Sequence, residues 1–159
     1  MGIRLRVEEI YRQLHSILVE LVNVEDSIQM VILADPTGEL IHFAEKGSSG
    51  ESDSKIRMAA ATIAATFGGA EIIGEDFKLS DPSFLIYEFQ DGNLVITRCY
   101  NKTTLAILTD KNANLGTVRV LAKKYTEILN KVIHDLYGAM REEIKKSKIS
   151  EGFDDLKKI

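Results

Sequence analysis

Two short runs, Met30 to Ala34 and Leu105 to Leu108, are apolar at every position, and they constrain the fold more than any other feature of the chain. A strand that alternates polar and apolar residues needs cover on one face, whereas a strand with no polar position needs it on both. Such strands belong in the middle of a sheet, with helices packed above and below.

The elements around them follow from periodicity and turn chemistry. Val7, Ile10, Tyr11, Leu14, Ile17, Leu18 and Leu21 recur at helical spacing, which predicts an amphipathic helix over residues 3–22. Ile28 to Ala34 and Leu40 to Ala44 flank Asp35-Pro36-Thr37-Gly38, so they form a hairpin. Residues 45–55 are polar and rich in Gly and Ser, a connection leading to a helix over Ile56 to Ala70. Strands are expected at Phe84 to Gln90 and Leu94 to Tyr100, with Asp91-Gly92 as a two-residue hairpin turn, and at Thr103 to Thr109. A last helix starts near Asn114 and carries Val118, Leu121, Tyr125, Ile128, Val132, Leu136 and Met140, reaching about residue 147.

The expected fold is therefore α/β (α+β): a three-layer sandwich with a five-stranded antiparallel sheet, helices on both faces, and the order α-β-β-α-β-β-β-α. At 159 residues this is one domain over 1–137, followed by a helical C-terminal extension and tail over 138–159. Phe153, Leu156 and Ile159 stand three apart near the end and read as part of a frayed tail.

Several function classes are disfavoured. Acidic and basic residues are intermixed at a net charge of −4, so nothing resembles a basic stripe for nucleic acid. Arg4, Arg6, Glu8 and Glu9 interrupt the first residues, which argues against a signal peptide. No run of about 18 apolar residues suggests a membrane span. The single cysteine, Cys99, together with these readings, leads us to expect a cytoplasmic location. His15, His42 and His134 are scattered, and none sits at a metal-ligand spacing. Gly68-Gly69 lacks the Lys-Ser/Thr ending of a phosphate-binding loop. No catalytic set, metal or cofactor is expected.

The second helix carries the functional signal. With Ile56 at zero and about 100° per residue, Ala60, Ile63, Phe67 and Ala70 fall on one stripe, which faces the sheet. The opposite side carries Met58, Ala61, Ala65 and Gly69, flanked by Thr62 and Gly68, where a solvated helix shows Lys or Glu. Either a second partner or a neighbouring loop of the same chain covers this side. The strand Phe84-Leu85-Ile86-Tyr87-Glu88-Phe89 opens a meander and is placed at a sheet edge, where an apolar strand without Pro or Lys pairs with another chain. Edge and helix together point to a symmetric dimer.

The segment Asp110-Lys111-Asn112-Ala113-Asn114-Leu115-Gly116 resembles the turn that leads into the last helix of Roadblock/LC7 domains, with Asn112 or Asn114 as the cap. The Asp35 to Gly38 hairpin and the alanine-rich second helix resemble the same family, over roughly residues 7 to 135. The resemblance implies a homodimer, or a dimer with a paralogous Roadblock protein, with sheets joined at the third strand and second helices packed together. Phe84, Leu85, Ile86, Tyr87, Phe89, Ala61 and Ala65 are the expected dimer contacts. It also implies a scaffold or activator for a Ras-like small GTPase, met by Arg57, Met58, Thr62 and Gly69. A motor light-chain subunit and a small-molecule sensor of the PAS or GAF kind are the competing readings. The chain departs from the family in the long 45–55 connection and the extended last helix.

Overall fold

The computed structural model describes residues 2–47 and 52–157, the side chains of 153–155 and 157 excepted. These residues form α1 (Ile3–Val24), β1 (Ile28–Ala34), β2 (Leu40–Glu45), α2 (Asp53–Asp76), β3 (Phe84–Phe89), β4 (Gly92–Arg98), a 3-10 turn (Tyr100–Lys102), β5 (Thr104–Asp110) and α3 (Leu115–Lys157). The expected order of elements is observed. Five strands make one sheet in the spatial order β2-β1-β5-β4-β3, and every neighbouring pair is antiparallel.

The two all-apolar runs are the central strands. Val31, Leu33, Leu105 and Ile107 point toward α1 and α3, while Ile32, Ala34 and Ala106 point toward α2. On the first face Leu14, Leu18 and Leu21 of α1 pack with Val118, Ala122, Tyr125, Leu129 and Ile133 of α3, all fully buried. The two helices run antiparallel: Arg6 meets Glu142 at 3.2 Å near one end, and the Tyr125 hydroxyl donates to Glu20 Oε1 at 2.9 Å toward the other. The other face is covered by α2 alone among the described residues.

Local chemistry sets the turns. Asp35 Oδ1 accepts from Thr37 N, Thr37 Oγ1 and Glu39 N at 2.7–2.9 Å, closing the β1–β2 turn around its own side chain. Gly38 follows at φ +90°, and a Cβ there would stand 3.1 Å from Ala61 Cα, so this turn packs on the α2 backbone. Asn114 is the cap of α3, its Oδ1 accepting from Thr117 N at 3.1 Å, while Asn112 N donates to Asp110.

Most element boundaries shift by one or two residues from the sequence expectation, and a few shifts matter for the fold. The β3–β4 turn is Gln90-Asp91, one residue earlier than Asp91-Gly92, and Gly92 is the first residue of β4, paired with Phe89 and Asp110. Its glycine serves close approach: a Cβ at Gly92 would lie 2.3 Å from the Thr109 carbonyl oxygen. Gly92→Ala is expected to cost about 1–3 kcal/mol, the range for forcing extra atoms into a packed site, read as a lower denaturation midpoint.

The second helix begins at Asp53, where the Ser52 hydroxyl accepts from Lys55 N at 3.3 Å, and runs past Ala70 to Asp76. Much of the 45–55 connection is thus helix or strand end, and residues 48–51 lie outside the described set. By length and composition alone α2 is apolar enough to cross a membrane, although Lys55, Arg57, Thr62, Thr66 and Glu71 interrupt it, so it contains no unbroken apolar run of that length. Its stripe Ile56, Ala60, Ile63 and Phe67 is buried against the sheet, so its apolar character reflects a helix covered on one side by its own domain.

Finally, α3 continues to Lys157, its 43 residues spanning about 65 Å at 1.5 Å each. Among the described side chains Ala139 is its last buried one; Met140, Ile144 and Ile149 beyond it are exposed. The expected frayed tail is helix through Lys157, and Ile159 and the side chain of Phe153 lie outside the described residues.

Candidate functional site

The face of α2 turned away from the sheet extends the sequence expectation. Met58, Ala61, Ala65, Gly69 and Ile72 follow one another at intervals of three and four, a line about 21 Å long at the helical rise. Met58 is 73% and Ile72 62% exposed, and no charged residue occurs from Met58 to Ala70. The threonines do not make the face polar. Thr62 Oγ1 donates to Met58 O at 3.0 Å and Thr66 Oγ1 to Thr62 O at 2.7 Å, so both hydroxyls bond back into their own helix.

Four exposed apolar residues were not among the expected site residues: Ile72 and Ile73 in the last turn of α2, and Phe77 and Leu79 just after it. Their signal was the Ile72-Ile73 pair, which continues the helical pattern past the glycines. A tight approach holds this end: a Cβ on Gly74 would meet Ser80 O at 2.3 Å, and Leu79 N donates to Gly74 O at 2.7 Å.

As expected, β3 is an edge strand, bonded among the described residues to β4 alone. Phe84, Leu85 and Ile86 are half-buried against their own cores, whereas Tyr87 and Phe89 are exposed. Strand alternation puts Tyr87 and Phe89 on the same side as Leu85, the side that carries α2. The two exposed rings thus lie at the open sheet edge, on the side of the sheet that carries α2. Ala61 and Ala65 are both exposed on the outer side of α2; the Gly38 turn approaches the Ala61 backbone without covering the residue.

The arginines divide by constraint. Arg98 pairs with Glu71 of α2, donates to Lys102 O at 2.6 Å and to Thr104 Oγ1 at 3.0 Å, and lies 4.5 Å above the Phe67 ring. Arg119 rests over the ring of Phe84 at 5.2 Å. Arg57, in the first turns of α2, is exposed.

The remaining chemistry-bearing residues sit elsewhere. Cys99 is buried beside Thr126, and burial pushes its thiol up to about 12, which keeps it protonated and inert. His15 and His42, distant in sequence, meet at 2.9 Å between α1 and β2. The hollow between the start of α2 and the sheet, lined by Met30, Lys55, Ile56 and Leu108, has a volume of about 160 Å³, below the roughly 300–1,000 Å³ of small-molecule sites.

No protein-family model matches the sequence, and no curated protein does. Solved structures do. The chain is similar to Myxococcus xanthus MglB, with a TM-score of 0.70 at 19% identity over 79% of this chain and 91% of that one. It is similar to an MglB with a tetrameric arrangement, with a TM-score of 0.72 at 15% identity over 80% and 92%. A Roadblock/LC7 domain from Streptomyces avermitilis superposes with a TM-score of 0.67 at 14% identity over 74% and 95%. Identities this low speak for architecture alone: the chain shares the fold of these MglB and Roadblock/LC7 structures.

Proposed function

We propose that this chain is a self-associating Roadblock/LC7-type adaptor that binds a Ras-like small GTPase in the cytoplasm through the exposed side of α2. The observation that carries this reading is the uncharged line from Met58 to Ile72, together with the open β3 edge. An uncharged, exposed helix side of this kind marks a surface that another molecule covers. Phe84, Leu85, Ile86, Tyr87, Phe89, Ala61 and Ala65 serve the contact between copies, and Arg57, Met58, Thr62 and Gly69 the contact with the GTPase. A similar structure with a tetrameric arrangement supports self-association. A sensor of the PAS or GAF kind holds its ligand between sheet and helix, and the hollow at the start of α2 is small for that role. A motor light-chain role shares the fold and differs only in its partner.

Any stimulation of GTP hydrolysis works by ordering the GTPase's own switch loops, which requires only that the adaptor contact their two states differently. An arginine finger must be free to reach a neighbouring active site, and Arg98 and Arg119 are held by their contacts. Arg57 is the one to test. The experiment uses the purified chain and a Ras-like GTPase encoded beside it in its genome, loaded with GDP or with a non-hydrolysable GTP analogue. Binding should depend on the nucleotide, and equal or absent binding in both states defeats the reading. In single-turnover hydrolysis, Arg57→Ala should leave any stimulated rate within about tenfold. A loss of about 10³-fold with binding intact makes Arg57 a finger.

A further inference from the structure

His15 stands on α1 and His42 on β2, the sheet edge opposite β3, on the face away from α2. His15 Nδ1 and His42 Nε2 are 2.9 Å apart, with ring centroids at 5.1 Å and planes at 84°. At that separation one hydrogen lies between two nitrogens, where two lone pairs can otherwise meet. We propose that His15 and His42 form a two-imidazole binding site for a divalent transition-metal cation, clipping α1 to β2.

The distances suit this occupant. Metal–imidazole bonds are about 2.0–2.1 Å, and two such bonds at about 90–110° place the nitrogens about 2.9–3.4 Å apart. The pair needs to open by at most about half an ångström, with a turn of the rings to aim both lone pairs at one point. His15 is exposed on its helix and has room to turn. Whichever ring now donates moves its hydrogen to its outer nitrogen, so a neutral pair binds the ion without losing a proton.

The surroundings set the class of ion. Glu8, Tyr11 and Arg12 line the same open hollow. Among the described residues no group of three His, Cys, Asp or Glu side chains is placed to hold an ion, so a bound ion would take its other ligands from solvent. Two nitrogens and water favour zinc, nickel or copper over magnesium or calcium, which need oxygen ligands. Arg12 adds an opposing charge, partly offset by Glu8 four residues earlier on the helix. The unfolded chain does not hold the two rings together, so the ion stabilises the folded state.

The test is calorimetric and thermal titration of the tag-free full chain with Zn2+ and Ni2+, with Mg2+ as the control. One ion per protomer should bind saturably in the micromolar range and raise the unfolding temperature, and Mg2+ should do neither. His15→Gln and His42→Gln should each weaken binding at least about tenfold with unchanged circular dichroism. His134→Gln, whose ring lies by Asp135 at 3.6 Å on α3, should change nothing. In the unmodified chain, affinity should fall as pH drops from about 7.5 to 5.5, because protons compete for imidazole; this arm needs no variant to fold. The proposal is overturned by a lack of saturable Zn2+ and Ni2+ binding, by affinity flat across that pH range, or by binding that survives both variants.

Discussion

Ile63→Arg is expected to unfold the chain, whereas Ala65→Arg, two residues further along the same helix, keeps it folded and converts a dimer to a monomer. Ile63 is 5% exposed and packs with Ile32, Ile96 and Ala106 under α2. No acidic residue is buried among the described residues, so a guanidinium there loses its water and gains no buried partner. An uncompensated buried charge costs about 3–5 kcal/mol, a large part of the roughly 5–15 kcal/mol that holds a domain together. Ala65 is exposed on the opposite side, in line with Met58 and Ile72. There an arginine stays solvated in the separate chain and charges the contact between copies. Light scattering should give the unmodified chain twice its 17.7 kDa and Ala65→Arg the single mass. Ala61→Arg is the less clean variant, because the Gly38 turn approaches its backbone. If Ala65→Arg remains a dimer with native circular dichroism, the proposed contact lies elsewhere; if it unfolds as Ile63→Arg does, the face assignment fails.

That contrast was legible in the sequence because it depends only on 100° periodicity and on which residues carry charge. The same holds for the central strands, whose lack of any polar position required two covered faces, and for β3 at the edge. What stayed hidden depends on contacts between residues far apart in the chain. Gly92 follows an aspartate, and Asp-Gly is a favoured hairpin turn, so local chemistry put it in the turn. The Thr109 carbonyl, 17 positions on, moves it into the strand, since only a residue without a Cβ fits beside that oxygen.

The length of α2 was hidden for a related reason. Gly68 and Gly69 read as a helix end, yet Glu71 one turn later pairs with Arg98 and Gly74 admits the returning chain at Ser80. Those tertiary contacts outweigh the roughly 1 kcal/mol that each glycine costs a helix. The site therefore gained Ile72, Ile73, Phe77 and Leu79, which no pattern ending at Ala70 contains. Likewise, 27 residues separate His15 from His42, and only the packing of α1 against β2 makes them neighbours.

Phe67→Ala is expected to lower stability by about 3–5 kcal/mol, the range for truncating a buried aromatic ring. Phe67 is fully buried at the centre of the contact between α2 and the sheet. Since α2 alone covers that sheet face among the described residues, no second helix closes over the gap. The ring also supports the Arg98 guanidinium from 4.5 Å below, and Arg98 in turn ties β4 to Glu71 and to the loop before β5. Removing the ring leaves the guanidinium above a void, which adds up to about 1–2 kcal/mol. At about 2–4 °C per kcal/mol for a chain of this size, the unfolding temperature should fall by at least about 6 °C. Phe77→Ala is the matched control: its ring is 73% exposed, so in a separate chain the change should stay within about 0.5 kcal/mol. A loss below about 1 kcal/mol for Phe67→Ala, on a scale where large core truncations cost several times more, would mean that the ring does not anchor α2. A loss at Phe77 that appears only at concentrations where the chain is dimeric would place that ring inside the contact between copies.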